Sequence, residues 1–206
     1  MNKKHIKTLL IQECAKLMVF EGVSQYYDAK KIAAKRICND SRKHLPSNGE
    51  ISDAVYQLSL QDTQFDHINT LLKMRLKAIE YMEKLKEFTP RLIGSVSTGK
   101  IKQGSDIDLH VFCDSIDLLL IFLDDSKIQY ELKEVQIQVG NKQVLYQHIY
   151  ILDEFDIELS VYAENELRVT TKSSTDGQPI KRLSIAKVQA LIETDHWEDI
   201  IKLGDV

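Results

Sequence analysis

Gly94-Ser95-Val96-Ser97-Thr98-Gly99-Lys100-Ile101-Lys102-Gln103-Gly104-Ser105-Asp106-Ile107-Asp108-Leu109 links the end of a β-prone run over residues 91–95 to a second β-prone segment through a polar connection. It contains Gly94, Gly99 and Gly104, in a chain with only 8 glycines among 206 residues. A glycine at position 94 lets the backbone approach a bulky anion, and Ser95 offers a hydroxyl and an amide to phosphate oxygens. From Asp106 to Phe112 polar and apolar residues alternate, so Ile107, Leu109 and Val111 share one face of a predicted strand. Asp106, Asp108 and His110 share the other. Carboxylates at i and i+2 on a strand stand about 7 Å apart at the backbone. They can converge on one or two divalent cations, which take oxygen ligands and neutralise triphosphate charge.

Downstream, Ser115 is expected to cap a short helix running through Phe122. Tyr130–Val139 and Val144–Leu152 read as strands joined at Gly140-Asn141, a hairpin signal. Phe155 to Tyr162 alternates again, with Phe155, Ile157, Leu159 and Val161 on one face and Glu154, Asp156 and Glu158 on the other. A polar loop over 171–179 leads to a final helix near 184–192, which Trp197 is expected to anchor.

Upstream, the grammar is helical. Ile6, Leu10, Cys14 and Leu17 recur at three- and four-residue spacing, and Gly22 ends that helix. A second helix starts near Asp28, with Ala29, Ile32, Ala33 and Ile37 inward and Lys30, Lys31, Lys35 and Arg36 outward. Together with Arg42 and Lys43 this is the one local concentration of positive charge, read first as a solvated face. Residues 45–50 have loop composition, and Ser52 or Asp53 would cap the next helix. From 51 to 88, Phe65, Ile68, Leu72, Leu76, Ile79 and Met82 mark one long helix, or two broken near 61–64. Pro90 stops it, because proline disfavours the α region for Thr89. The expected division is a helical region at 1–88 and an α/β domain at 89–206.

Composition narrows the function classes. Lys and Arg total 27 against 31 Asp and Glu, a formal charge of −4, so no broad positive field draws the whole surface to nucleic acid. Cys14, Cys38 and Cys113 lack CxxC spacing and read as reduced core thiols, which suits the cytoplasm. The six histidines show neither HxxxH nor HxH spacing, so a zinc site has little support, and His110 reads as an ordinary hydrogen-bonded residue. The N-terminus is followed by no apolar signal segment, and no apolar run approaches the roughly 20 residues of a membrane span. The expectation is a cytoplasmic protein with no membrane partner.

Gly94-Ser95, Gly99 and Ser105-Asp106-Ile107-Asp108-Leu109 together resemble the signature of the DNA polymerase β-like nucleotidyltransferase superfamily. The register is similar to that of its small stand-alone members, and the resemblance spans roughly residues 88 to 165. It implies an α+β fold: a helical N-terminal part, then a nucleotidyltransferase-like mixed β-sheet with flanking helices. It implies an NTP, ATP in the first instance, with Gly94, Ser95, Lys100 and Ser105 binding the nucleotide. Magnesium or manganese would be held by Asp106, Asp108 and a third carboxylate on a later strand. Alternation alone leaves Asp156 and Glu158 open; the resemblance of Ile-Glu-Leu-Ser-Val to the family's strand favours Glu158. The chain departs from the pattern in carrying Glu where many members have Asp, and Val96-Ser97-Thr98 where many have Arg. Lys100 or Lys102 could supply the positive charge.

The implied reaction moves a nucleoside monophosphate, AMP from ATP, to a hydroxyl acceptor (small molecule, protein or RNA) and releases pyrophosphate. Two other classes fit the same residues. One is a catalytically weak, regulatory or antitoxin-like module that uses the fold to bind a partner protein. The other is a nucleic-acid-binding helical part attached to a vestigial transferase, against which the acidic charge counts.

Overall fold

Strand β2 (Ile107–Phe112) buries Ile107, Leu109 and Val111 completely, as its alternation requires. In the computed structural model, which describes residues 3–38, 44–61, 66–139, 142–173 and 177–195, it lies inside a five-stranded mixed sheet. Strands β1 (Arg91–Leu92), β3 (Tyr130–Val139), β4 (Lys142–Ile151) and β5 (Ile157–Tyr162) complete it in the order β1-β2-β5-β4-β3. β2 and β5 run parallel, and the other neighbours pair antiparallel. A parallel pair needs a long crossover. Here it consists of helix α6 (Ile116–Asp125) and the β3–β4 hairpin. The expected turn at Gly140-Asn141 lies outside the described residues, but Val139 pairs with Lys142 on either side of it.

The apolar face of the sheet collects Ile149 and Ile151 of β4 and Ile157 and Leu159 of β5 beside the buried residues of β2. Each such side chain taken fully from water contributes about 1.5–3 kcal/mol. Four further helices precede the sheet: α1 (Lys3–Phe20), α2 (Tyr26–Cys38), α3 (Asn48–Ser59) and α4 (His67–Lys84). The helical turn α5 (Gly94–Thr98) follows β1, and α7 (Ile185–Asp195) closes the described chain. The α+β class with a mixed sheet and flanking helices is therefore observed.

Contacts divide the chain into two compact units: residues 1–66 with 172–179, and residues 67–171 with 180–206. In the first, Leu10, Cys14 and Leu17 of α1, Ala29 and Ala33 of α2, and Ile51 and Val55 of α3 form a closed core. The basic face of α2 is partly engaged, since Arg36 reaches Glu13 and Glu21 at 2.8 Å each; Arg42 and Lys43 lie outside the described residues. Cys14, Cys38 and Cys113 form no disulfide. No described helix is long and apolar enough to cross a membrane.

Several boundaries differ from the sequence expectations. α3 starts inside the supposed loop, at Asn48, because Ser47 accepts the Glu50 N–H while Glu50 accepts the Ser47 N–H. That capping box makes Ser47 the cap, not Ser52 or Asp53. Of the two readings of the run up to residue 88, the broken one holds, with α3 ending at Ser59 and α4 starting at His67; Phe65 lies outside the described residues. α4 belongs to the same unit as the sheet, whereas the sequence division had grouped it with the N-terminal helices. Its inward face is also rotated: Leu71, Met74, Arg75, Ala78 and Tyr81 are buried beside Leu72 and Met82, while Ile68 and Leu76 are exposed. Buried Arg75, a residue an apolar-stripe count passes over, shifts that face. Ser115 sits at the N-cap of α6 without a side-chain capping bond. Trp197 lies outside the described residues.

Candidate functional site

The polar face of the sheet is built in rows. The register aligns Asp108 of β2 with Glu158 of β5 and Tyr150 of β4. Asp106 stands just before β2, where the Ile107 N–H donates to the Asp156 carbonyl at 2.9 Å. One carboxylate oxygen each from Asp106, Asp108 and Glu158 can be chosen so that all lie within 4.8 Å of one another. Asp156 points from the same face but is exposed and outside this cluster, although its charge reaches Asp106. The parallel register explains the difference, because it puts Glu158 level with Asp108.

Electrostatic strain in the cluster is concentrated on the aspartates. Burial, then the charges of Asp106 and Glu158, push Asp108 up to about 8. Burial, with the charges of Glu158 and Asp156, also raises Asp106, partly offset by a backbone hydrogen bond and Lys102. Both shifts mean that the charged form of each aspartate is disfavoured, first by burial and then by its acidic neighbours. A hard divalent cation with oxygen ligands would offset that penalty.

Gly94 borders the cluster directly. Its φ is +68°, and a Cβ built there would stand 2.0 Å from Asp108 Oδ2. The chain passes from β1 through Ile93, whose N–H donates to the Asp108 carbonyl at 3.0 Å, into the single helical turn α5. The connection therefore begins as a helix, where the sequence suggested a strand running to Ser95. The turn closes where Gly99, at φ +76°, and Lys100 both donate N–H to the Ser95 carbonyl. Lys100 is exposed on the loop. The Ser105 hydroxyl accepts the Lys102 N–H at 3.0 Å, tightening the approach to Asp106.

Four residues that sequence reasoning did not single out shape this region. Arg75 is 1% exposed; its Nε donates to the Val96 carbonyl of α5 and its Nη1 to Asp195 of α7. Arg182 donates Nε–H to His110 Nδ1 at 3.0 Å and Nη1–H to the carbonyls of Glu166, Leu167 and Val169. It also lies over the Phe112 and Tyr162 rings. Burial first, then the charges of Arg182 and His148, lower His110 to about 3, so its ring is neutral and accepts the Arg182 Nε–H hydrogen bond. Tyr150 hydrogen-bonds Glu158, and its phenol is raised by burial and by that carboxylate. His148 contacts Glu158 from the same strand. Alternation in Tyr146-Gln147-His148-Ile149-Tyr150 already puts His148 and Tyr150 opposite buried Ile149, a signal open to sequence reading. Among the described residues no cluster containing His or Cys has metal-ligand geometry.

No family model matches the chain, and no curated protein matches it significantly. Among solved structures, it is similar to that of a GLD-2/RNP-8 complex, with 19% identity over 57% of this chain and 49% of the other, TM-score 0.31. A cytoplasmic RNA terminal U-transferase gives 18% identity, 55% and 34% coverage and a TM-score of 0.28. Cid1 in complex with its short product ApU gives 16% identity, 59% and 38% coverage and a TM-score of 0.33. The chain thus spans less than half the length of each of these structures.

Proposed function

We propose that this chain is a metal-dependent nucleotidyltransferase of the DNA polymerase β-like kind. It transfers a nucleoside monophosphate, AMP from ATP, to an acceptor hydroxyl on a small molecule, protein or RNA. The observation that carries this is the convergence of Asp106, Asp108 and Glu158, from two strands far apart in sequence, within 4.8 Å. The donor set fits magnesium or manganese, since all three ligands are carboxylate oxygens and Asp108 is pushed up to about 8 by burial and then by its acidic neighbours. Bound there, the metal would neutralise phosphate charge and acidify the acceptor hydroxyl.

The chain's own residues supply the rest. Asp108 on β2 and Asp106 just before it fix the site, and Glu158 completes it and favours loss of the acceptor's proton. Gly94 and Ser95 provide the backbone approach and hydroxyl for phosphate oxygens, with Lys100 and Ser105 on the following loop. The acceptor oxygen attacks the α-phosphorus in line, the new P–O bond forms, and the bond to pyrophosphate breaks. Positioning and charge neutralisation lower the barrier.

Replacing Asp106 and Asp108 together by Ala should abolish magnesium-dependent pyrophosphate release from ATP by the full chain. Release that persists in the double variant sinks the assignment. Absence of ATP–magnesium binding by the wild-type chain in calorimetry would instead favour a non-catalytic binding module.

A further inference from the structure

Beyond the acidic row, the next row of the polar face runs across all five strands as Arg91, His110, Ser160, His148 and Lys133. His110 is accounted for: it is 2% exposed and its Nδ1 accepts a hydrogen bond from Arg182 Nε–H. His148 has no such structural employment. Its side chain is 12% exposed, and its Nε2 is buried with no hydrogen-bond partner. Its single hydrogen bond runs from Nδ1 to Glu158 Oε1, at 2.5 Å. A carboxylate only accepts, so Nδ1 is the donor in this contact. Apart from its ring lying against Tyr150, the one polar contact of this half-buried imidazole is with a candidate ligand.

We propose that His148 is a positioning residue of the acidic cluster: it donates Nδ1–H to Glu158 and holds that carboxylate oriented toward Asp106 and Asp108. This rests on the reading of the three carboxylates as metal ligands. The need for it follows from side-chain chemistry. Glu158 has one more rotatable bond than either aspartate, so it has more freedom to lose when it closes on a cation. It also faces two carboxylates whose negative charge pushes its own away. Two groups from β4 resist this. Tyr150 lies level with Glu158 and hydrogen-bonds it, and His148, one row further along, reaches back to Oε1. A ligand pre-set in this way binds without paying the ordering cost at the moment of association, and loss of an outer hydrogen bond of this type typically weakens metal binding about 10–100-fold.

The test is manganese titration of the full chain by calorimetry, a readout separate from turnover. His148→Phe keeps the ring volume and removes the donor; it should weaken manganese binding about 10–100-fold. Two polar variants carry the test if the Phe variant does not fold. His148→Asn places an amide N–H where Nδ1 stood and should bind manganese much as wild type does. His148→Gln places it where Nε2 stood and should bind as poorly as the Phe variant. The inference is overturned if the Phe variant binds manganese as tightly as wild type while Glu158→Gln does not. It is equally overturned if folded Asn and Gln variants lose affinity alike, because the ring would then matter only for packing. If the wild-type chain shows no manganese binding that Glu158→Gln removes, the metal-site reading itself fails.

Discussion

Gly94 is the residue on which the candidate site is most sharply testable. A methyl group there would stand 2.0 Å from Asp108 Oδ2, and φ at +68° is a conformation L side chains rarely adopt. Either the Asp108 carboxylate swings out of the cluster or the backbone leaves the left-handed region. Gly94→Ala should therefore cost about 1–3 kcal/mol in chemical denaturation. It should also remove most manganese affinity, read by calorimetry on the folded variant. Wild-type affinity in that variant would mean that the Asp108 carboxylate need not sit where it does. At this scale the sequence already groups Gly94, Asp106 and Asp108, because they are close in the chain and alternation orients the two acids. Alternation leaves Asp156 and Glu158 open and only the family resemblance favours Glu158, since both share a face and the choice depends on the β2–β5 register, a contact between segments some 50 residues apart.

Elements were legible where a period or a cap is local, and misread where a buried polar group interrupts the pattern. Strands β2 and β5 follow strict alternation and were foreseen to within a residue or two. In α4 the apolar stripe runs through Ile68 and Leu76, yet those are 58% and 48% exposed, while Arg75 turns inward to reach Val96 and Asp195. Periodicity counts apolar residues, so it assigns an arginine to the wrong side. The start of α3 was misplaced for a related reason: Pro46, Asn48 and Gly49 look like a loop, whereas Ser47 and Glu50 form a capping box. Ser47→Ala should cost about 1 kcal/mol. The box also gives the first unit a pH signature. Glu50 is lowered to about 2, first by its hydrogen bond to Lys7 and then by the Ser47 backbone. A carboxylate depressed in the folded state contributes stability above its unfolded pKa and loses it as pH falls through the folded value. Wild-type denaturation midpoints should therefore fall between about pH 4.5 and pH 2 more steeply than those of Glu50→Gln. Parallel curves would show that the Lys7–Glu50–Ser47 contacts do not stabilise the fold.

For the whole molecule, the net charge of −4 conceals an uneven placement: three of the 31 acidic residues are gathered into one half-buried cluster, and all three lie in the sheet-containing unit. That unit also holds Gly94, His148, Tyr150 and Arg75, so every group argued to form or support the site comes from residues 67–171 and 180–206. The first unit has a hydrophobic core of its own, in which Leu10, Leu17 and Ile51 are 0% exposed. Chain order hid this partition, because α4 continues the helical grammar of the residues before it and yet packs with the sheet beyond it. The division makes the two cores separable by mutation. Leu17→Ala opens a cavity in the first core, with an expected loss of about 2–5 kcal/mol. No ligand of the acidic cluster, nor any group touching one, changes. Denaturant titration should show the lower stability, while manganese calorimetry under conditions where the variant remains folded should return the wild-type affinity. A parallel fall in both would show that the first unit contributes to the acidic cluster through contacts its own core must maintain.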